Sequence, residues 1–401
     1  MIETRTLVIG AGVAGSALAM HLAEMGDDGV LVVDPDLAGE FSSSERNAGG
    51  VRATWWQRPN IALCAQTIDF FAAHAPELGF RPRGYLWLYG PELWPGACAH
   101  VELQNAFGRE VELVAADEVP RRWPFIDRTQ GIAGATFSPR DGLVNPNAVK
   151  EHYRARARAA RASFLDRALL VAARRDGARV AGVRLRHLPD GAAAREALLL
   201  RPTVGPEEEV RCERVVNAAG PWAAPVAELL GYSVPCYAVR RQIAIVGCRE
   251  LDLSPYGMIV DTTGCYFHHE AGELILAGYS PPGDSPGYSF DYDGRAFFLS
   301  EIWPRLADRV SAMDRLEYVR GWAGLYELSP DATAVVGRVE GLANAYEIHS
   351  FSGRGVMQSY GAALALAETI VEGAPRTVPE AAALSAARFR SGRLLPEELH
   401  I

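Results

Sequence analysis

The sequence predicts an α/β protein in which a large antiparallel or mixed sheet is inserted into an α/β domain. The first observation is a strand, a glycine-rich turn, a helix and a second strand within residues 5–34. The second is a group of strands in the middle of the chain that are separated by glycine and proline turns rather than by crossover helices. With 401 residues, the chain is long enough for one large or two medium domains.

The N-terminal unit contains a glycine-rich turn between two apolar runs. The runs cover residues 6–9 and 30–33, and the second ends at Asp34. The turn between the first run and the helix reads Gly10-Ala11-Gly12-Val13-Ala14-Gly15.

Each glycine of this turn has a physical role. Gly10 permits the tight turn, Gly12 lets the backbone approach a pyrophosphate, and Gly15 lets the helix pack closely on the strand. Asp34 is placed to accept a hydrogen bond from a ribose hydroxyl. The pyrophosphate would lie at the helix N-terminus, where free N–H groups and the helix dipole favour negative charge. The unit therefore predicts a Rossmann-like, dinucleotide-binding domain.

Other elements follow from periodicity and turn residues. Helices are predicted over 59–78, from an N-cap at Asn147 to about 162, and over 360–371. Strands are predicted over 83–89, 169–183 (a hairpin that turns at Asp176-Gly177), 214–218, 239–246 and 266–276. The arginines of the second helix are expected to form a solvated face: 154, 156, 158 and 161.

Composition excludes several classes of function. A net charge of −9 argues against a nucleic-acid partner. The six cysteines are scattered without a CxxC pair, which favours reduced thiols in a cytoplasmic protein over disulfides or a zinc site. No metal site is expected. The first strand begins too early to leave room for a signal peptide, and no apolar run is long enough to span a bilayer.

Four further segments distinguish between cofactors. They follow one another along the chain as Ser42-Ser43-Ser44-Glu45-Arg46-Asn47-Ala48-Gly49-Gly50-Val51-Arg52, then 215–222 with Ala218, Gly220 and Trp222, then Gly324-Leu325-Tyr326 before Ser329-Pro330-Asp331, and then Ser352-Gly353-Arg354-Gly355-Val356-Met357-Gln358. Together they resemble the D-amino-acid oxidase/sarcosine oxidase superfamily of FAD-dependent amine oxidoreductases, over most of the chain and in the family's order.

The resemblance implies a division into two domains. The FAD-binding domain would consist of residues 1–79, 141–234 and 321–401, and the substrate-binding domain of residues 80–140 and 235–320. The loop that follows the second strand would lie along the flavin. The turn at 353–355 would place backbone N–H groups near the pyrimidine edge, where reduction leaves negative charge.

The residues that the resemblance assigns to FAD come from five segments. They are Gly10, Gly12, Val13, Ala14, Gly15 and Asp34; Ser43, Ser44, Arg46, Asn47, Ala48, Gly49 and Gly50; Ala218, Gly220 and Trp222; Gly324; and Gly353, Arg354, Gly355, Val356 and Met357.

The chain departs from the family pattern at the flavin attachment and the substrate anchor. Where some members carry a flavin-linked cysteine this chain has Gly324, and no histidine lies near 40–45, so FAD is expected to bind non-covalently. Many amino-acid oxidases hold the substrate carboxylate with an arginine at the position of Tyr326. Arg52, Arg240 or Arg241 would have to replace it, and only one of the last two should face the site because neighbouring strand residues point to opposite sides.

The electron acceptor, oxygen or another molecule, is left open by the sequence. Sarcosine oxidases use a lysine that helps oxygen react, and the matching residue here is Leu276. The chain's only lysine, Lys150, is expected in a distant helix. Arg354 could supply the charge or face solvent. The absence of the lysine favours a dehydrogenase or a slow oxidase.

The predicted function is oxidation of the C–N bond of an amino acid or related amine by hydride transfer to flavin N5. Tyr266 and Tyr326 are candidates for substrate contact beside Arg52 and Arg241, although both tyrosines could equally pack in the core. His349 is interpreted as structural rather than as a base. The alternatives are C–O oxidation of a hydroxy acid, and a flavin-binding accessory or assembly factor with little turnover.

Overall fold

The computed structural model describes residues 1–283 and 285–399. The strands of this part are β1 (Ile2–Ile9), β2 (Val30–Val33), β3 (Gly50–Val51), β4 (Tyr85–Tyr89), β5 (Glu112–Ala115), β6 (Gly134–Ser138), β7 (Gly142–Leu143), β8 (Ser163–Leu165), β9 (Ala168–Asp176), β10 (Arg179–His187), β11 (Glu207–Asn217), β12 (Tyr237–Gly247), β13 (Met258–Val260), β14 (Tyr266–Ala271), β15 (Leu274–Tyr279), β16 (Glu317–Leu328), β17 (Val335–Arg338) and β18 (Ala345–His349).

The helices of the same residues are α1 (Val13–Glu24), α2 (Arg58–Ala73), α3 (Ala75–Leu78), α4 (Trp94–Ala106), α5 (Val119–Arg122), α6 (Pro146–Ala159), α7 (Gly191–Leu198), α8 (Ala223–Leu230), α9 (Arg295–Phe297), α10 (Trp303–Ala307), α11 (Gly355–Val371) and α12 (Ala387–Ser391).

The first sheet has eight strands and a parallel centre. Its main path runs β17-β18-β11-β1-β2-β8, and β10 joins it through β11 and carries β9 at its other edge. The strands from β18 to β8 are parallel, whereas the hairpin β9–β10 and strand β17 are antiparallel to their neighbours. Helix α1 packs against α6 and α11, and α11 packs against α2. The N-terminal unit is therefore Rossmann-like, as predicted.

The second sheet also has eight strands, in the order β16-β12-β15-β14-β13-β4-β6-β5. All neighbouring pairs are antiparallel except β13 and β4. The prediction of a large mixed sheet next to the Rossmann-like sheet is confirmed. The division into two domains stays a prediction, and β16 crosses its boundary at residue 320.

The start of α6 differs from the prediction. Asn145, not Asn147, is the N-cap, and its Oδ1 accepts hydrogen bonds from the amides of Asn147 and Ala148 at 3.1 and 3.2 Å. Pro146 is the first helical residue, where its missing N–H has no cost and its fixed φ suits the helix. The rule that places proline just after the cap would have identified Asn145.

Arg154 on the same helix is buried rather than solvated. Its side chain is 4% exposed and donates hydrogen bonds to Ala11 O at 2.5 Å and to Leu37 O at 2.8 Å. The prediction of an exposed arginine face was wrong at this position because α6 lies against the glycine-rich turn. Arg154 thereby holds a carbonyl oxygen of that turn.

Two other helix bounds differ. The helix predicted over 59–78 is divided at His74, since Pro76 has no N–H to continue the i→i−4 ladder. The last long helix begins at Gly355, five residues before the predicted start. Within the described residues, no helix is long and apolar enough to cross a membrane.

Candidate active site

A cavity of about 420 Å³ lies between the carboxyl ends of β1, β2, β11 and β18 and the residues of β12, β14 and β16 that face them. In open α/β sheets this edge is where ligands bind, because strand ends, turns and helix N-termini meet there. The cavity therefore lies where the glycine-rich turn predicts that a dinucleotide binds.

Close packing explains two of the glycines. Gly10 has φ +107°, and a Cβ there would lie 2.4 Å from the carbonyl oxygen of Ala218. A Cβ on Gly15 would lie 1.9 Å from the carbonyl oxygen of Gly10. No side chain can be accommodated at either position, so the roles of tight turn and close helix packing follow directly from the geometry.

Asp34 ends β2 at the cavity. Its Oδ2 accepts a hydrogen bond from the amide of Ala11 at 2.7 Å, and its Oδ1 accepts one from the amide of Asp36 at 2.8 Å. Burial raises the pKa of Asp34 to about 6, against the lowering effect of these two amides. The carboxylate is thus ionised at neutral pH and has further lone pairs to accept a ligand hydroxyl.

The serine-rich loop joins the two sheets. Ser44 Oγ accepts a hydrogen bond from the amide of Val13 at 3.0 Å, and Ser43 Oγ donates to the carbonyl of Leu325 at 2.6 Å. Arg46 donates to the carbonyl of Ala323 at 2.5 Å. One loop therefore touches the start of α1 and strand β16 of the second sheet, along the length of the cavity.

The start of α11 forms the opposite wall. Gly353 has φ +87°, and the ring of Tyr326 packs on it so closely that a Cβ there would lie 2.5 Å from the ring. Arg354 is 2% exposed, and its Nη2 donates to the carbonyl of Ala332. Its Nε and Nη1 have no hydrogen-bond partner among the described residues. Burial lowers the pKa of Arg354 to about 10, so the side chain stays cationic.

These observations fit FAD. Helices α1 and α11 both begin at the cavity, and the N-cap residue of neither helix, Gly12 or Arg354, bonds the first amides with its side chain. Of the first α1 amides, that of Val13 donates to Ser44 Oγ. Helix N-termini bind anionic groups. The start of α1 would receive the pyrophosphate near Gly12. The start of α11, with the unpaired N–H groups of Arg354, would receive the electron-rich pyrimidine edge, where FAD gains negative charge on reduction.

Cations and tyrosines gather where the second sheet lines the cavity. Arg52 is 1% exposed and donates to the carbonyls of Thr54 at 2.7 Å and Leu399 at 2.5 Å. The ring of Trp55 lies 3.5 Å from the guanidinium carbon of Arg52 and 4.7 Å from that of Arg354. One indole thus separates two buried cations and contacts both through its π face.

Tyrosines complete this end of the cavity. Tyr85, Tyr266 and Tyr326 all line it. Burial raises the pKa of Tyr85 to about 12, raises that of Tyr266 well above its usual value, and raises that of Tyr326. All three phenols are therefore protonated at neutral pH and can donate hydrogen bonds to an anion.

A family profile described as "FAD dependent oxidoreductase" (DAO) matches residues 5–369. The chain belongs to the DAO family of FAD-dependent oxidoreductases. The predicted resemblance and the FAD cofactor are confirmed by this match, which spans both sheets and the cavity between them.

Individual relatives are distant. The chain is 28% identical to the FAD-dependent oxidoreductase domain-containing protein 1 of Xenopus laevis, over 93% of this chain and 80% of that protein. It is 24% identical to the 4-methylaminobutanoate oxidase of Paenarthrobacter nicotinovorans, over 93% of this chain and 44% of that protein. Its fold is similar to that of L-proline dehydrogenase from P. horikoshii, with a TM-score of 0.84 and 22% identity over 98% of this chain and 100% of that one.

Most residues that sequence reasoning assigned to a DAO-type site line the cavity. They are Gly10, Gly12, Val13, Ala14, Asp34, Ser43, Ser44, Arg46, Asn47, Ala48, Gly50, Arg52, Ala218, Gly220, Trp222, Arg241, Tyr266, Gly324, Tyr326, Gly353, Arg354, Gly355, Val356 and Met357. The exceptions are Gly15 and Gly49, whose Cβ positions meet the backbone oxygens of Gly10 and Val144 instead.

Several candidate residues lie elsewhere. Arg240 points away from the cavity and pairs with Asp293 at 2.9 Å, which leaves Arg241 as the strand residue that faces the site. Trp56 stacks on His100 with ring centres 4.8 Å apart, whereas its neighbour Trp55 lines the cavity, as does Trp222.

Lys150 was expected in a helix distant from the flavin, and the structure places it on α6, beside the serine-rich loop. It is 1% exposed and forms an ion pair with Glu45 in the serine-rich loop. It also donates to the carbonyl of Ala38 at 3.5 Å. The lysine therefore fixes the loop that lies along the cavity, although its own side chain does not line the cavity.

Sequence reasoning missed one wall of the cavity. Residues 197–203, at the end of α7 and in the loop after it, line it together with Trp222. The indole N–H of Trp222 donates to the carbonyl of Leu198 at 2.8 Å, and Arg186 donates to the carbonyl of Thr203 at 2.8 Å. The segment has no binding motif, so nothing in its sequence pointed to the cavity.

Proposed function

We propose that the chain oxidises the C–N bond of an amino acid or related amine that carries a carboxylate. When bound, FAD would supply the two-electron acceptor, and hydride would pass to it from the carbon next to nitrogen. The observation that carries the proposal is the cluster of Arg52, Arg241, Tyr266 and Tyr326 in one cavity wall, beside Arg354 at the start of α11.

The cluster suits an anionic group. A carboxylate that enters this wall would gain a charge-assisted hydrogen bond from each arginine that it contacts. The neighbouring protonated phenols can donate to the same group. A carboxylate fixed here would orient the rest of the substrate towards the wall formed by the start of α11, which is the positioning that hydride transfer needs.

The relatives support an amine. L-Proline and 4-methylaminobutanoate, the compounds in the names of two similar proteins, are both secondary amines with a carboxylate. Histidine and lysine are absent from the described residues that line the cavity, and the tyrosines are fixed in their protonated form. The substrate amine would therefore bind in its neutral form, without a histidine, lysine or tyrosinate to deprotonate it.

The test is an anaerobic reduction screen of the purified flavoprotein. L-Proline, N-methylglycine and 4-methylaminobutanoate should bleach the flavin absorbance, whereas the matched hydroxy acids should not. Bleaching by hydroxy acids alone would establish C–O oxidation instead. If dithionite reduces the flavin but every amine leaves it oxidised, the chain is an accessory flavoprotein and the proposal fails.

We also propose that FAD is held without a covalent bond. Cysteine and histidine, the usual attachment residues, are absent from the described residues that line the cavity. Acid precipitation should release all flavin into the supernatant, and yellow colour in the pellet would contradict this. A cytoplasmic location, suggested by the free thiols of all six cysteines, stays a prediction.

A further inference from the structure

Glu327 is an acidic side chain in a cavity that otherwise favours anions. It lies near the end of β16, is 7% exposed and lines the cavity next to Tyr326. Among the described residues, the other acidic side chains in the cavity wall are Asp34 and Asp36, which follow β2. Glu327 has no role in binding a carboxylate, because like charges repel.

Two cavity-lining segments hold the carboxyl group. The amide of Phe351 donates to Glu327 Oε1 at 3.3 Å, and the amide of Ser352 donates to the carbonyl of Glu327 at 3.0 Å. A Cβ added to Gly220, in the turn after β11, would lie 4.0 Å from Oε2. The carboxyl group therefore lies between the 351–355 loop, which holds Oε1, and the turn after β11, and both segments line the cofactor cavity.

The groups behind Glu327 form a buried pair. His349 lies 3.2 Å from Glu347 through its Nε2 and 2.8 Å from Ser350 Oγ through its Nδ1. Burial lowers the pKa of His349, but hydrogen bonds to Cys236 and Glu347 outweigh this and raise it to about 9. At neutral pH His349 is thus an imidazolium beside the Glu347 side chain.

On the cavity side, Tyr326 is protonated and Arg354 is cationic over the same range. Burial raises the pKa of Glu327 to about 7, against the Phe351 amide and His349. Compared with His349, Tyr326 and Arg354, Glu327 is therefore the group whose charge changes near neutral pH.

We propose that Glu327 takes up one proton when the bound FAD is reduced. Reduction of a flavin by two electrons and one proton, bound at N5, leaves one additional negative charge. That charge disfavours a carboxylate in the same low-dielectric cavity, so a second proton passes from solvent to Glu327. The balance is two electrons and two protons per FAD. The inference rests on the proposed FAD site, but not on the identity of the substrate.

The test measures the reduction potential of the FAD-loaded protein against pH, with a chemical reductant and no amine. Above about pH 7, where Glu327 is ionised in the oxidised protein, the wild-type slope should correspond to two protons per two electrons. In Glu327→Gln the slope should correspond to one proton per two electrons. Glu317→Gln, an exposed glutamate on the same strand, serves as the control and should keep the wild-type slope.

A second measurement needs no variant. Photoreduction of the wild type in weakly buffered solution with a pH indicator should consume two protons per FAD at about pH 8. The absorption spectrum of the reduced flavin should be that of the anion, which excludes N1 as the site of the second proton. Uptake of one proton, a neutral reduced flavin, or equal slopes in wild type and Glu327→Gln would each overturn the inference. Failure of amine oxidation would leave this test unaffected.

Discussion

The guanidinium carbon of Arg241 lies 5.6 Å from the centre of the Tyr326 ring. The two residues are on the neighbouring antiparallel strands β12 and β16, where Arg241 is opposite Gly324. Tyr326 lies two residues beyond Gly324 on β16, which brings its ring close to the arginine of β12. If Arg241 binds the substrate carboxylate, as we propose, the arginine comes from the adjacent strand, beside the position where many amino-acid oxidases carry it.

Arg241→Met should raise KM for a carboxylate substrate far more than Arg240→Met. Loss of a charge-assisted hydrogen bond in a buried site costs about 1.5–3 kcal/mol, or roughly 10- to 150-fold in KM. Arg240 is a matched control, because it is the neighbouring arginine on the same strand and pairs with Asp293 outside the cavity. Equal KM values for the two variants in steady-state assays would remove Arg241 from the substrate site.

Asp34→Ala should weaken FAD binding by about 1.5–3 kcal/mol, since a buried charged acceptor for the ribose is lost. Fluorescence titration of the apoprotein with FAD measures the effect. Asp28→Ala, which removes a carboxylate with 76% exposure, should bind FAD as the wild type does. A wild-type titration curve for Asp34→Ala would show that the ribose is held elsewhere.

FAD affinity should also depend on pH through Asp34. The pKa of this carboxyl in the protein is about 6, above its ordinary value, because the group is buried. At higher pH it is ionised and accepts from the ribose hydroxyl. Below that pKa it is protonated, and affinity should fall by up to about tenfold per pH unit. In Asp34→Asn this decrease between about pH 7 and pH 5 should disappear, and its persistence would assign it to another group.

Reduced enzyme should react slowly with oxygen compared with an artificial dye. Leu276, at the position of the oxygen-activating lysine, is buried in the core and 3% exposed. Arg354 is then the cation available at the start of α11. Stopped-flow reoxidation in aerated buffer gives the rate. A reoxidation rate equal to that of substrate-driven reduction would make the chain an oxidase. In that case Arg354→Met should lower the reoxidation rate, whereas Arg338→Met, at an exposed position on β17, should not.

Asp331→Ala should destabilise the fold by about 3–5 kcal/mol, because it leaves a buried arginine without its partner. Arg388 donates to the two oxygens of Asp331 at 2.7 and 3.0 Å, and both residues are 4% exposed. Urea unfolding measures the loss. Asp314→Ala, which breaks a similar two-bond contact to Arg128 at an exposed site, should cost much less. Equal losses would contradict the reasoning.

Local patterns in the chain were sufficient for several conclusions. The glycines at 10 and 15 and the acid at 34 are set by contacts within one βαβ unit, so their spacing in sequence fixes their geometry. The hairpin that turns at Gly177 was predictable for the same reason, and the structure has β9 and β10 on either side of it. The sequence did not decide between Arg240 and Arg241. Side chains alternate along a strand, which shows that only one of the two faces the cavity but not which one.

Other conclusions required contacts between distant parts of the chain. Arg154 was predicted on the solvated face of a charged helix, and Lys150 in a helix distant from the flavin. Both are buried because α6 packs on the glycine-rich turn and the serine-rich loop. Residues 197–203 carry no motif and line the cavity only because Trp222 and Arg186 hold them there.

The sequence by itself determined the Rossmann-like unit, the mixed second sheet, the family and FAD, since these depend on strand periodicity, turn residues and motif order. Only the tertiary structure decided which cations face the cavity and that Glu327 lies among them. The physical reason is that burial and charge at a site are set by segments that meet in space. Glu327, for example, gains its environment from two other parts of the fold: His349 and Phe351, at the end of β18 and just after it, and Gly220, in the turn after β11.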